Sequence, residues 1–366
     1  MLVCAVGVLL NSWLACNTLL RGAWQGGRND FLGFYEGAKL VGTPGLYDRR
    51  SVGEVQRRAV GDTFEIEYGR LPYYAWMLKP LGLLPYRTAY LVWEIMLAAA
   101  FVGFLVLWPS ANPRMKWYVG CWSLPAFVSL FNGQDDLLLL WWVALAAWLL
   151  RTGRPVSAGL LLTLCASKYH LFILVPLVIL AQRRWRMAAG GAAGGAILLL
   201  ISFMVAGKDW VWRYWAVLTH PEMSTSLAHM PNLHSLFGVG RLGLVAQLIL
   251  TIALAAGVFL AARRTRSFEQ PVAVALATGL LIGVHGYIND CPLLMPAIMV
   301  FAGMPHVRVL AQTLATMIPW YMLQLQWPWP AITQLLILMF ASACILLMLR
   351  SAEPPPPGHA LHNPEP

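Results

Sequence analysis

Charged side chains are scarce in this sequence. They make up 11% of its 366 residues, whereas hydrophobic residues make up 59%. Soluble globular domains carry about 25% charged residues, so the composition excludes an ordinary soluble domain and indicates a polytopic membrane protein. The formal net charge is +10, but the basic residues form short clusters between apolar runs, as charges that set membrane topology do. No basic–aromatic stripe is present, so we predict no nucleic-acid partner.

Motifs for cofactors and metals are also lacking. The six cysteines contain no C-x-x-C pair and lie almost entirely inside apolar runs, which favours small buried hydrophobes over a zinc site or a disulfide framework. Neither G-x-x-x-x-G-K-[ST] nor G-x-G-x-x-G occurs, and the glycine-rich stretch 190–195 opens an apolar run, where small residues allow close helix packing. We therefore predict no cofactor and no metal ion.

The first apolar run, Leu2–Leu20, has no Lys or Arg before it. A secretory signal peptide normally begins with a positively charged region. We interpret this run as the first transmembrane helix, with an incorrectly chosen start site and residues missing upstream as the alternative.

Apolar runs recur along the whole chain, and the basic clusters between them suggest how they are arranged. The later runs are Thr88–Trp108, Trp117–Phe131, Leu137–Leu150, Val156–Ala181, Met187–Ala206, Leu242–Ala262, Pro271–Val284, Cys291–Gly303, Val309–Leu323 and Pro330–Leu349. Short cytoplasmic loops collect Lys and Arg, so we assign to the cytoplasm the clusters Arg114/Lys116, Arg151/Arg154, Arg183/Arg184/Arg186, Arg263/Arg264/Arg266 and Arg308. The sequence therefore predicts an all-α bundle of about twelve transmembrane helices with both termini cytoplasmic.

Three of these runs are predicted to form two helical hairpins, one from the pair Trp117–Phe131 and Leu137–Leu150 and one from Val156–Ala181 alone. In Trp117–Leu150 the tip at residues 131–136 points outward. In Val156–Ala181 the tip is Lys168-Tyr169-His170. The halves of the second hairpin are too short to cross a membrane, so its tip lies below the surface, where bent backbone is tolerated only inside protein or beside a wet cavity.

Residues 1–350 are predicted to form one integral membrane domain with two long extracytoplasmic loops, 21–87 and 208–241. The first loop contains an apolar piece, Tyr73–Leu84, which we interpret as re-entrant or interfacial. The second opens with Trp210, Trp212 and Trp215, a pattern that suits a helix in the interface. The proline-rich tail, residues 351–366, is predicted to be disordered and cytoplasmic.

This topology collects the polar residues on the side away from the cytoplasm. They are Asn29, Asp30, Glu36, Gln134, Asp135, Asp136, Lys168, His170, His229, Asn232, His234, His285, Asn289 and Asp290. Ionisable groups at membrane depth are costly and mark substrate paths. We therefore predict an outward-facing active cleft.

Each candidate has a structural alternative. Asp30 follows the first span and is a candidate general base, or else a helix cap or a solvated loop acid. Gln134-Asp135-Asp136 could bind sugar hydroxyls or a divalent cation, or cap the next helix. Lys168 needs a phosphate or an acidic partner, unless it reaches the interface along its alkyl stem. His285 and Asp290 could serve a phosphate or a proton, or form an ordinary loop.

A series of motifs resembles bacterial glycosyltransferase family 87, membrane enzymes of the GT-C fold. The matching residues, in order, are Asp30-Phe31 with Phe34-Tyr35; Gly45-Leu46-Tyr47-Asp48; Leu83-Leu84-Pro85-Tyr86-Arg87 with Ala89-Tyr90 and Trp93; Gly133-Gln134-Asp135; Gly153-Arg154-Pro155 with Ala158-Gly159-Leu160 and Lys168; Met230-Pro231-Asn232-Leu233; and His285-x-Tyr287-x-x-Asp290 with Leu293-Leu294-x-Pro296. Tyr169-His170 after Lys168, and Asn289, depart from the usual pattern.

The resemblance implies an inverting transferase that moves a hexose, typically mannose, from a polyprenyl-phosphate donor to a glycan or glycolipid hydroxyl outside a bacterial plasma membrane. Asp30 would be the base, and Lys168 and His285 would stabilise the leaving phosphate. The remaining candidates for donor-phosphate or substrate binding are Gln134, Asp135, Asn232, Asp290, His170, Tyr35 and Glu36. The scheme requires no metal, because cationic side chains can compensate the charge of the phosphate.

One alternative function is that of a transporter or lipid-carrier flippase, which would also place ionisable groups in the membrane. Another is that of a non-catalytic membrane assembly partner that kept the fold. Many transporters contain an inverted repeat with broken helices at the midplane. No repeat is visible here, and the polar residues are predicted to lie on one side, which favours the transferase.

Overall fold

The computed structural model describes residues 2–63, 68–110, 112–220, 226–326 and 331–350, and within these ranges the chain is helical and has no β-strand. The first helices are α1 (Leu2–Leu14), α2 (Arg21–Gly26), α3 (Phe31–Leu40), α4 (Arg49–Val60), α5 (Pro72–Gly82), α6 (Tyr86–Leu107), α7 (Pro113–Trp122), α8 (Leu124–Phe131), α9 (Asp136–Arg151), α10 (Pro155–Leu162) and α11 (Tyr169–Phe172). They are followed by α12 (Leu174–Ala181), α13 (Trp185–Ala206), α14 (Trp210–Leu218), α15 (Leu233–Phe237), α16 (Arg241–Arg264), α17 (Glu269–Ile282), α18 (Met295–Phe301), α19 (Pro305–Leu314), α20 (Ile318–Leu325) and α21 (Ala331–Arg350). The predicted all-α class is confirmed, whereas the predicted tail, 351–366, lies outside the described residues.

Five helices are long and apolar enough to cross a membrane. They are Leu2–Leu19, in which a π-helical turn extends α1, together with α6, α13, α16 and α21. Each coincides with a predicted apolar run. Only 17% of the most apolar stretch of α16 is buried, and side chains such as Leu242 and Ile252 are exposed. A helix with so much exposed hydrocarbon suits contact with lipid, and the chain is a membrane protein by these criteria.

Two bent helix pairs account for part of the difference from the predicted number of spans. The α8–α9 pair bends by 114°, and residues 155–172 bend by 113° against α12. The described residues therefore contain five candidate spans, or up to seven if each bent pair is counted as one. The predicted count of about twelve is not confirmed, because the prediction counted each apolar run or half-hairpin as a crossing.

Both bends lie close to the tips that the sequence predicts. The first falls at residues 132–135, between α8 and α9. In the second, a 3-10 turn, Thr163–Lys168, precedes the short α11 and the bend at Ile173. Lys168 is only 2% exposed, so the 3-10 turn that carries it is buried in protein, as the physical argument requires, whereas Ile173 at the bend itself is exposed.

The two segments predicted as long loops are largely helical. Residues 21–87 contain α2 to α5, and α5 buries Tyr73, Tyr74 and Leu78 against the core. In α14, Trp212 and Trp215 are exposed while Trp210 is buried. This two-sided pattern is that of a helix suited to an interface.

Candidate active site

Asp30 lies at the start of α3, where the two amide side chains of the α8–α9 turn meet it. Asn132 Nδ2 and Gln134 Nε2 each donate a hydrogen bond of 2.6 Å to Oδ2 of Asp30. The Asp30 side chain makes no capping bond to α3, so the cap interpretation does not apply. Within the described part of the chain, Oδ1 accepts no hydrogen bond from protein. One carboxylate oxygen is therefore held in place and the other is available to a ligand.

Burial raises the pKa of the Asp30 carboxyl above its usual range. The hydrogen bond from Gln134 and the charge of Lys168 partly oppose this rise because both favour the ionised form. A half-buried carboxylate with a raised pKa is a stronger proton acceptor than an exposed one.

Gly133 allows the α8–α9 turn to approach α3 this closely. Its φ is +70°, and a Cβ built on it would lie 2.6 Å from the Cβ of Phe31. Any other residue would meet both a left-handed backbone and a steric clash. The Gly-Gln pair of the sequence motif therefore has a structural explanation. Gly133 allows the turn to approach α3, and this places Gln134 within hydrogen-bonding distance of Asp30.

One face of α6 fixes the two segments that meet at Asp30. Tyr86 donates to the carbonyl oxygen of Gly27 at 2.6 Å and to Asn29 Oδ1 at 3.1 Å. One turn further, Tyr90 donates to the carbonyl of Phe131 at 2.7 Å, and Trp93 Nε1 donates to the carbonyl of Gly133 at 2.8 Å. The positions 86, 90 and 93 share one helical face. This is a structural basis for the Tyr-x-x-x-Tyr-x-x-Trp spacing.

Lys168 lies at the centre of a buried ion cluster. Its Nζ is 2.6 Å from Asp136 Oδ2, 2.6 Å from Asp290 Oδ1 and 3.4 Å from Asp135 Oδ1. Asp290 also accepts a hydrogen bond from the backbone N–H of Tyr287 at 2.7 Å. Of the two partners predicted for Lys168, the structure therefore provides the acids. Asp135 makes no capping bond to α9.

Arg70 connects this ion cluster to Asp30 and is absent from the candidates predicted by sequence. Its Nη2 is 3.4 Å from Gln134 Oε1 and 3.5 Å from Asp135 Oδ1, and its guanidinium carbon lies 5.5 Å from the ring centroid of Phe34. Its buried Nε has no hydrogen-bond partner among the described residues. One donor of Arg70 is therefore left unsatisfied by the described residues.

Tyr47 and Tyr68 hold the backbone around Arg70. The Tyr47 hydroxyl donates to the carbonyl of Arg70 at 2.8 Å, and the Tyr68 hydroxyl donates to the carbonyl of Leu71 at 2.8 Å. The two rings stack with centroids 6.0 Å apart. The neighbouring Asp48 caps α4 through the N–H of Ser51 at 2.9 Å. The Leu-Tyr-Asp motif thus positions Arg70, although sequence alone offered no signal that separates Arg70 from the other arginines of this loop.

Two imidazoles and a phenol lie beside Asp290. The ring centroids of His170 and His285 are 6.3 Å apart, and those of His285 and Tyr287 are 5.1 Å apart. His285 is exposed, while His170 and Tyr287 are half-buried. The predicted His285–Asp290 segment therefore joins the ion cluster through Asp290. Its His285 imidazole is exposed.

The three other predicted residues make contacts outside this cluster. Tyr35 donates to the carbonyl of Leu84 at 2.8 Å, and Glu36 accepts from Gln56 Nε2 at 2.8 Å. Asn232 donates to the carbonyl of Gly283 at 2.8 Å and accepts from the N–H of Ser235 at 3.0 Å. These contacts give the three side chains structural tasks, and their predicted role in substrate binding stays a prediction.

The site contains more carboxylates than cationic side chains. The carboxylates of Asp30, Asp135, Asp136 and Asp290 face the cations Arg70 and Lys168. Among the described residues, no group of three or more His, Cys, Asp or Glu side chains has an arrangement that could hold a metal ion. The Lys168 ammonium occupies the space between three carboxylates. The carboxylate oxygens of the site can accept protons and hydrogen bonds from hydroxyl groups.

Comparison with known proteins gives one match. The model of glycosyltransferase family 87 matches residues 72–285, which is more than half of the chain. No curated protein and no solved structure matches this chain. The matched region includes Gln134, Lys168 and His285, but begins after Asp30 and Arg70.

Proposed function

The chain belongs to glycosyltransferase family 87 and is therefore a glycosyltransferase, and from this premise we propose that it moves a hexose, most simply mannose, from a polyprenyl-phosphate donor. The acceptor is a hydroxyl of a glycan or glycolipid. The reaction takes place on the extracytoplasmic face of a bacterial plasma membrane, where the basic clusters predict that the polar tips lie.

The observation that carries this proposal is the carboxylate of Asp30. Two amide donors bind its Oδ2 at 2.6 Å, so the orientation of the carboxylate is fixed before a substrate binds. Oδ1 remains able to accept the proton of an acceptor hydroxyl. Burial raises the pKa of Asp30, which brings its basicity closer to that required near neutral pH.

The reaction is a single displacement at the anomeric carbon. The acceptor oxygen forms a bond to C1 while the C1–oxygen bond to the phosphate breaks, and the electron pair of that bond leaves with the polyprenyl phosphate. The acceptor proton passes to Oδ1 of Asp30. Because attack and departure take place on opposite faces, the anomeric configuration is inverted.

Negative charge develops on the phosphate as it leaves, and a donor aimed at that charge contributes most in the transition state. We assign this role to Arg70, whose Nε has no protein partner, together with the exposed imidazole of His285. The sequence predicted Lys168 for the same role. Since Lys168 is bound by three carboxylates, it instead holds Asp135, Asp136 and Asp290 in place.

Sugar transfer by purified protein tests the proposal. The protein is reconstituted in lipid nanodiscs with radiolabelled polyprenyl-phosphate mannose and a mannoside acceptor. Wild type is expected to release polyprenyl phosphate and form a mannoside of inverted configuration, and Asp30→Asn is expected to lose activity by about a hundredfold or more. Asp62→Asn, at an exposed acid paired with Arg28, is the matched control. Full activity of Asp30→Asn would exclude Asp30 as the base.

A further inference from the structure

A cavity of about 540 Å³ lies between α10, α12 and α13. Its walls are formed by apolar side chains such as Leu162, Phe172, Ile173, Pro176 and Ile179, and none of the described residues that line it is charged. Several wall residues, including Ile173 and Leu180, are exposed. The cavity is therefore a groove for hydrocarbon, open on one side.

The groove runs along the candidate span α13 and reaches the turn next to the candidate active site. Along α13 it extends from Ala188 to Gly195, a rise of about 10 Å at 1.5 Å per residue. At the other end it is lined by Thr163, Cys165 and Tyr169, in the turn that carries Lys168. A ligand in the groove would thus have one end beside Tyr169, whose ring lies 5.7 Å from that of His170. Its other end would lie near Leu180 and Ala188, towards the predicted cytoplasmic ends of α12 and α13.

The glycines of α13 fall into two pairs with different surroundings. A Cβ on Gly190 would clash with the carbonyl oxygen of Val156, and one on Gly194 would lie 2.5 Å from Thr163 Oγ1. These two glycines permit close packing of α10 on α13, as expected for small residues in membrane helices. They fulfil the packing role that the sequence predicts for the whole stretch.

Gly191 and Gly195 do not have that role. A Cβ on Gly195 would meet no atom within 4 Å, and one on Gly191 would meet only the carbonyl oxygen of Gly159, at 3.9 Å. Both glycines line the groove, together with Ala188 and Ala192. Glycine in a helix interior costs about 1 kcal/mol relative to alanine, yet packing against protein does not explain these two. Their absent side chains enlarge the groove.

We propose that this groove binds the polyprenyl chain of the lipid-phosphate donor, and that Gly191 and Gly195 keep it open. The inference rests on the proposed function for the identity of the ligand and adds where its chain is bound. The apolar walls match an isoprenoid chain, whose burial is favourable roughly in proportion to its area. The adjoining polar turn places the phosphate end towards Arg70 and the ion cluster.

Photolabelling tests the location without requiring catalysis. Polyprenyl phosphate with a diazirine in its chain is irradiated with the protein in nanodiscs, and the labelled peptides are mapped by mass spectrometry. We expect labelling of α12 and α13 that excess unlabelled polyprenyl phosphate displaces. Absence of labelling there, or labelling that the competitor does not displace, would overturn the proposal, since either result describes ordinary contact with bilayer lipid.

Filling the groove gives a second readout. In Gly191→Leu and Gly195→Leu the new Cβ meets no protein atom closer than 3.9 Å and the rest of the side chain points into the space of the groove, so the variants should fold. Each should reduce labelling of α13 by about tenfold, since excluding two methylene groups weakens apolar binding by about that factor. Ala196→Leu is the matched control because Ala196 is exposed on the same helix and does not line the groove.

Donors of different chain length separate this inference from the proposed function. With a long polyprenyl donor, transfer by the two glycine variants should fall about tenfold, while transfer from a methyl-phosphate sugar, which has no chain to enter the groove, should change little. Equal losses with both donors would contradict a chain-binding groove. Displaceable labelling of α13 in a protein that transfers no sugar would support the chain-binding groove and reject the proposed transfer reaction.

Discussion

Asp30 and Gln134 lie 104 positions apart in the chain and are joined by a hydrogen bond of 2.6 Å from Nε2 to Oδ2. The amide favours the ionised carboxylate, whereas burial favours the protonated one. The basicity of Asp30 therefore depends on the balance between its burial and the groups, Gln134 among them, that favour its ionised form.

Gln134→Leu should shift the pH profile of transfer. Asp30 acts as a base only when ionised, so activity falls as pH drops through its pKa, which is already raised in the folded protein. Losing a hydrogen bond to the charged form removes about 1.5–3 kcal/mol and should move the acidic limb of kcat/KM upward by about one pH unit or more. Profiles of wild type and variant in the same nanodiscs measure the shift. An acidic limb that stays in place would mean that Asp30 is not the group that titrates.

Gly133→Ala should impair both stability and activity. The new methyl group would meet a φ of +70° and the Cβ of Phe31, and the turn that carries Gln134 would have to move away from Asp30. Gly153→Ala is the matched control because Gly153 has a φ of +77° but no atom within 4 Å of a built Cβ. The control should lose about 1 kcal/mol of stability through backbone strain and keep its activity. Similar activities for the two variants would show that the close approach to Phe31 is unimportant.

Lys168→Met should destabilise the protein by about 3–5 kcal/mol, because removing one partner of a buried ion cluster leaves charges uncompensated. Replacing Asp136 by Asn in the same chain removes one of the stranded carboxylates and should restore part of the loss. Thermal unfolding in detergent, compared for the single and double variants, measures both effects. If Lys168→Met unfolds at the wild-type temperature, the ion cluster does not stabilise the fold.

Arg70→Gln should weaken the interaction with the leaving phosphate. The substitution removes the cation that has an unpaired Nε while keeping a polar, though shorter, side chain. We expect kcat to fall more than KM rises, because the developing charge is greatest in the transition state. Inhibition by free polyprenyl phosphate should weaken in parallel, and Arg70→Lys should recover part of both. Unchanged product inhibition would remove Arg70 from the phosphate site.

Chemical labelling can determine which side of the membrane each loop lies on. The basic clusters predict that Lys208 is extracytoplasmic and Arg264 cytoplasmic. Single cysteines introduced at these positions should react from opposite sides of sealed vesicles with a membrane-impermeant maleimide. The native Cys4 and Cys121, which are only half-buried, must be replaced first. Labelling from the same side would invalidate the topology from which the outward-facing site was inferred.

The membrane spans were readable from sequence where an apolar run is a single straight helix. Leu2–Leu19, α6 and α16 coincide with such runs. Hydropathy records the length of a run but not its bends, so the broken α8–α9 pair could not be distinguished from two crossings. The close contact between Gly133 and Phe31 that shapes this bend is tertiary and leaves no periodic signal.

The candidate site was partly predictable for a related reason. Charges inside apolar runs, such as Lys168 and Asp136, are conspicuous because they are costly there, and the structure brings these two together. Their pairing was not predictable, since a phosphate would have satisfied Lys168 equally well. Arg70 lies in a polar segment with several other arginines, and it is distinguished from them by tertiary contacts, such as those with Gln134 and Asp135, which are distant in sequence.

The hydrogen bonds from Tyr86, Tyr90 and Trp93 attach the two segments around Asp30 to a single helix, α6. That helix is also one of the spans with exposed hydrocarbon, as at Ile95 and Val102. A span adjusts its tilt when the surrounding bilayer is thinner or thicker than its apolar length. Because both segments are attached to α6, a change in its tilt would move them together, and we expect turnover to depend on the acyl-chain length of the surrounding lipid.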